Sequence, residues 1–153
     1  LFFAVVGIIY DRTHTRDIDV LEGMARRMGV TAAFFAIAGL TSLGLPGLSG
    51  FVAELLVFLG LFQTYPALGI LGIIGAAATA VYILRLLAKV FFGPLSERWK
   101  DQKNALEDGT RLERFATLVL VGFILLVGLF PFPFIRVIDS GVADLLTHFP
   151  GAG

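Results

Sequence analysis

From residue 28 to residue 84 the chain carries one charged side chain, Glu54. Around it runs TSLGLPGLSGFVAELLVFL, residues 41–59, an apolar stretch interrupted by a loop-forming LPGLSG. A core large enough to hide so long a run is beyond a chain of this size, and lipid is the natural solvent for it. The composition agrees: 57% of residues are hydrophobic and 16% charged, where soluble domains run nearer half and a quarter. The expected fold class is therefore all-α, a polytopic membrane protein. A lone carboxylate in such a run is costly in a bilayer and marks a functional site by default.

The chain divides by charge and by Pro/Gly punctuation. Residues 1–10 are apolar but half the length of a span, which needs roughly 20 residues. With no initiator Met and no basic flank they do not resemble a signal peptide. They are expected to be the end of a transmembrane helix begun outside this sequence, which makes the chain a fragment of a larger protein. Residues 11–28 mix both charge signs. The spacing of Leu21, Met24 and Met28 predicts a short surface helix over 20–28, capped by Asp17 or Asp19. The connector is read as solvated, with docking of a neighbouring subunit as the functional alternative.

A straight helix over 29–63 would be about 50 Å long, well beyond a hydrocarbon core of about 30 Å. Pro46 lacks an N–H and clashes with the preceding turn; Gly44, Gly47 and Gly50 open backbone angles that other residues resist. One interrupted span, broken near 44–50, fits better than two short ones. Unwound backbone at membrane depth is tolerated only against protein or a wet cavity, and Glu54 follows one turn later. Pro66 suits the first position of the next helix, over 66–92. The small residues Gly69, Gly72 and Gly75 in it call for a partner helix. Near its end Arg85 and Lys89 either snorkel to the interface or serve a polar path or an interface. Residues 93–114 form a polar connector with Trp99 as an interface anchor. Residues 115–135 are an uncharged span ended by Pro131 and Pro133, and 136–153 a tail. This layout puts every basic residue except Arg136 on the side of the two connectors, which the positive-inside rule makes cytoplasmic.

Several chemistries are excluded. Twelve basic residues balance twelve acidic ones, which argues against nucleic acid, whose recognition wants a clustered basic face. No cysteine is present, and the two histidines, His14 and His148, lie far apart, so no metal site is expected. GLPGLSG lacks the preceding strand and following Lys-Ser/Thr of a phosphate loop. Glu54 remains. Burial disfavours an ionised carboxyl and a nearby cation favours it. A membrane Glu beside a movable Lys or Arg therefore gains and loses a proton as the pair separates. The alternative is a structural Glu bonded to freed backbone.

YDRTHTRDI (residues 10–18), ARRM, SLGLPGLSGFVAELLVFLG (42–60), FFG after Lys89 and LVGLFPFPFI near the end resemble the antiporter-like membrane-arm subunits of respiratory complex I. The resemblance is strongest to the M subunit, whose counterpart is the D subunit in the cyanobacterial and plastid complex and subunit 4 in mitochondria. It implies a fold of fourteen transmembrane helices in two inverted repeats, each with a broken helix. This chain would be its C-terminal part, from the end of helix eleven through helix fourteen. Glu54 matches the family's membrane-embedded acid in the proton path, where the sister subunits and the sodium/proton antiporter subunits generally place Lys. His14, Arg16 and Asp17 match the family's loop pattern, with no chemical role assigned. The other key residues of the family, a Glu on helix five and lysines on helices seven and eight, have no counterpart here. The implied activity is proton translocation in NADH:quinone oxidoreductase, with no catalytic site or cofactor in this chain and NADH, FMN, Fe–S clusters and quinone held by other subunits. The implied partners are sister antiporter-like subunits and lipid, in a bacterial inner membrane. The alternatives are a subunit of a multi-subunit sodium/proton antiporter or membrane-bound hydrogenase, and a scaffold bundle without an ion path.

Overall fold

The structure, a computed structural model, describes residues 1–100 and 106–148. Among these every regular element is helical: α1 (Phe2–Thr13), a 3₁₀ turn (Met24–Arg26), α2 (Gly29–Ser42), α3 (Ser49–Thr64), α4 (Pro66–Phe91), α5 (Glu97–Lys100), α6 (Arg111–Leu129) and α7 (Phe132–His148). Helices α4 and α6 are each long and apolar enough to cross a membrane.

Helices α2 and α3 are each too short to span alone, at about 21 and 24 Å. They lie in series. The C-terminal half of α4 packs on α2, where Gly39 faces Ile83 and Leu87; its N-terminal half packs on α3, where Gly69 faces Phe62 and Gly72 faces Phe58. One antiparallel helix thus runs along both, so the pair forms a single interrupted rod rather than a hairpin. Gly69 and Gly72 find their partner helix within this chain, a Cβ at Gly72 standing 3.0 Å from the Phe58 ring, whereas a Cβ at Gly75 would meet nothing within 4 Å.

The core sits at the connector end. Phe2, Phe35 and Phe91, from α1, α2 and α4, stack with centroids 4.5 and 4.8 Å apart, over the fully buried Val5, Met24 and Met28. Here the sequence-based expectations need correction. Helix α1 runs past Tyr10 to Thr13 and ends at His14, whose φ of 49° is left-handed. No surface helix covers residues 20–28. Gly23, at φ 72°, has Leu95 and Pro94 backbone 2.7 Å from where a Cβ would stand, leaving one 3₁₀ turn. Leu21, Met24 and Met28 do share a side, but it is plugged into the core and not solvated. Asp17 caps no helix; its carboxylate accepts from the Asp19 N–H at 3.1 Å.

Trp99 is also not an interface anchor. It is 3% exposed, and its indole donates to the Val20 carbonyl at 2.7 Å. The second connector therefore folds back onto the first; its Lys103 lies outside the described residues. Helix α6 begins at Arg111, four residues earlier than expected, on a capping box in which Thr110 and Glu113 satisfy each other's backbone N–H. It stops at Leu129, not at residue 135. Pro131 and Pro133 end that helix's region and open the next one. Residues 132–148, expected as the last residues of the span (to 135) and the start of the tail (from 136), form α7; 149–153 lie outside the described residues.

Met28, at the head of α2, offers no capping side chain. Asp108, 77 residues beyond Thr31, supplies the cap: its carboxylate accepts from the Thr31 hydroxyl (2.6 Å) and the backbone N–H groups of Val30 (2.8 Å) and Thr31 (3.1 Å). Partial burial pushes the carboxyl up, but the Thr31 hydroxyl and the Val30, Gly109 and Thr31 N–H groups outweigh it, and its pKa lies below the ordinary 3.8. The resulting stabilisation is complete above pH 3.8 and is lost as pH falls through the lower folded value. Asp108→Ala should cost about 1–2 kcal/mol, the usual worth of a cap. Thermal unfolding of the purified full-length protein checks this: the variant should melt lower at neutral pH and lose less than wild type on acidification.

Candidate functional site

The interruption is built from glycine. Helix α2 closes with a left-handed C-cap: Gly44 has φ 63°, the Leu45 N–H donates to Leu40 O and the Gly44 N–H to Thr41 O, both at 3.2 Å. This pair of bonds is the Schellman arrangement, in which glycine avoids the Cβ clash. Residues 43–48 leave the helix, with Gly47 also at positive φ, 92°. Gly50, expected in the break, is helical; it belongs to the first turn of α3. Its smallness serves contact instead, since a Cβ there would stand 1.9 Å from the Thr41 carbonyl oxygen. The break is walled by the end of α6, where a Cβ on Gly128 would lie 2.3 Å from the Gly47 oxygen.

Glu54 lies in the second turn of α3. Helical side chains lean toward their helix's N-terminus, so its carboxylate reaches back across the break. It rests directly on Gly44: a Cβ there would be 2.1 Å from Oε2. Glu54 is half-buried. Among the described residues nothing donates a hydrogen bond to the carboxylate, and no cation lies within ion-pair distance. The result is an acid held at a backbone discontinuity, its oxygens without a partner among the described residues.

Arg85 and Lys89 are not gathered with Glu54. They face the 15–19 loop at the connector end, around a surface cavity of about 670 Å³ shared with Arg16, Asp17 and Asp19. Lys89 is ion-paired with Asp19. These two residues join the THTRD loop at the connector end. That loop is a chain of local turns: the Thr15 N–H donates to the Thr13 hydroxyl, the Asp17 N–H to the Thr15 hydroxyl and the Asp19 N–H to Asp17. Arg16 lies over the Tyr10 ring, 4.8 Å from its centroid. His14 is an exposed helix terminator.

Two connector-end features escaped sequence reading. Arg12 pairs with Glu113 at 2.7 Å, tying the end of α1 to the start of α6. The T-x-x-E pattern at residues 110–113 was the available signal for the α6 start. Asp108 had none, because a cap brought from 77 residues away leaves no local pattern.

A family model described as NADH:quinone oxidoreductase/Mrp antiporter, TM, matches residues 1–80. The chain is 36% identical over 147 residues to NADH-quinone oxidoreductase subunit M of Rhodobacter capsulatus, covering 96% of this chain and 28% of that protein. It is 41% identical over 138 residues to an NAD(P)H-quinone oxidoreductase chain 4 of a Picosynechococcus species, covering 86% and 26%. A chain in the solved structure of respiratory complex I from Thermus thermophilus with bound NADH superposes with TM-score 0.78 at 33% identity, covering 86% of this chain and 27% of that one. The chain spans less than a third of the length of these relatives.

Proposed function

The chain belongs to the NADH:quinone oxidoreductase/Mrp antiporter transmembrane family, and on that premise we propose that it moves protons within a quinone-reducing membrane complex. It is a multi-pass membrane protein, as its family and its apolar helices require. The carrying observation is the seat of Glu54: a carboxylate at a helix break, resting on a left-handed glycine, with no partner among the described residues. Burying it ionised and unpaired would cost several kcal/mol, so it either meets a cation or holds a proton. A lysine from outside this chain supplies the cation, and its approach and retreat set the proton's release and uptake. Loosened backbone at residues 43–48 admits the water along which the proton hops.

Subunit M or chain 4 of NADH:quinone oxidoreductase is the assignment favoured by the relatives, with sister membrane-arm subunits as partners. On that assignment NADH, FMN, Fe–S clusters and quinone belong to other subunits. The membrane is the bacterial inner one, with the two connectors cytoplasmic.

Inverted membrane vesicles containing the full-length protein test the assignment. NADH should acidify the lumen, and deleting the chain should abolish acidification while an artificial acceptor is still reduced. Acidification driven by a sodium gradient, and indifferent to NADH, would overturn it in favour of the antiporter alternative.

A further inference from the structure

The cavity at Arg16 and Arg85 lies at a defined depth. Helix α4 is 26 residues, about 39 Å, against a hydrocarbon core of about 30 Å. It starts at Pro66, directly after Tyr65, the single residue between α3 and α4, at the far surface. Arg85 therefore stands about 29 Å along the helix, at the hydrocarbon boundary on the connector side. Three cations line the cavity, Arg16, Arg85 and Lys89, against two carboxylates, Asp17 and Asp19. Lys89 and Asp19 neutralise each other. Arg16 is held over the Tyr10 ring, and Arg85 has no carboxylate within ion-pair distance among the described residues. The lining residues carry one net positive charge, with Glu22 acting on Lys89 from outside the lining.

The remaining wall is apolar and uncovered: Tyr82 is 59% and Ile18 41% exposed, beside Leu86. Cationic forks at the headgroup level with exposed apolar side chains beneath them match one class of molecule. We propose that Arg16 and Arg85 bind the phosphodiester of an anionic phospholipid, whose acyl chains lie along Tyr82, Leu86 and Ile18. Guanidinium groups suit phosphate oxygens in bidentate pairs, and basic pockets between helix ends on the cytoplasmic side take anionic head groups. A free phosphate ion would use the two arginines but gain nothing from the apolar wall; that wall selects the lipid. The proposal rests on α4 spanning the membrane and is independent of proton transfer by Glu54.

The test uses the complex containing the full-length chain, exchanged into phosphatidylcholine nanodiscs with a minor share of phosphatidylglycerol. Lipid retained after detergent washing is measured by mass spectrometry. The wild type should hold one phosphatidylglycerol per chain that the Arg16→Gln/Arg85→Gln variant loses, and inorganic phosphate should not displace it. Equal retention by an assembled double variant would overturn the proposal, and so would ready displacement by phosphate. Should the double variant not assemble, a photo-reactive phenylalanine analogue at Tyr82, with both arginines intact, decides. Cross-linking to phosphatidylglycerol supports the site; cross-linking to another protein chain, or to phosphatidylcholine in proportion to its abundance, refutes it.

Discussion

Glu54→Gln should reduce NADH-driven proton translocation to about a tenth of wild type or less, since a positioned proton-transfer group contributes on the order of 10²–10⁴-fold in rate. Assembly should be unchanged. Gln has nearly the shape of Glu and meets the same contacts on Gly44, but it cannot ionise. Electron transfer to an artificial acceptor should also persist, because it needs nothing from this residue. Glu54→Asp should retain part of the activity: the acid remains, but withdrawn by one methylene from its place over the break. A scaffold bundle predicts the opposite, with all three forms pumping alike.

The glycines beside Glu54 should separate into two kinds when replaced by alanine. At Gly44 the left-handed φ of 63° costs a non-glycine residue about 1–2 kcal/mol. The new Cβ strikes Glu54 Oε2, the mobile end of a side chain. Gly44→Ala should therefore assemble, displace the carboxylate and lose translocation much as Glu54→Gln does. At Gly50 the obstacle is the Thr41 carbonyl, 1.9 Å from the new Cβ, and backbone cannot rotate aside. Overpacking of this kind costs about 1–3 kcal/mol or more. Gly50→Ala should lower the amount of assembled protein before any change in turnover is read. Quantifying assembled chain and translocation in parallel distinguishes the two; equal assembly defects in both would refute the division.

This contrast also shows where sequence reading stops. Pro46 and its glycines announce a break because they disfavour helix whatever surrounds them, and the lone carboxylate announces itself by the absence of other charge. Glycine does not say which of its uses is in play. Gly44 serves a positive φ and Gly50 a close approach, and from sequence both read as loosened backbone. Proline is similarly two-sided: Pro131 and Pro133 end one helix region and, tolerated in a first turn, begin α7. The spacing of Leu21, Met24 and Met28 correctly grouped three residues, but Gly23 against Leu95 decided the element they belong to. Trp99 beside charged residues looks like an interface anchor until the connector is seen to fold onto Val20. Such errors share one cause, contacts between distant segments, which a local pattern does not contain.

Infrared difference spectroscopy of the full-length protein in its complex reads directly whether Glu54 changes protonation state during turnover. Spectra recorded with and without NADH-driven turnover should contain a carboxylic acid C=O band that changes in intensity. The band should be absent from Glu54→Gln and shifted in Glu54→Asp. A wild-type difference spectrum reproduced without loss by an assembled, pumping Glu54→Gln protein would show that Glu54 carries no proton during turnover.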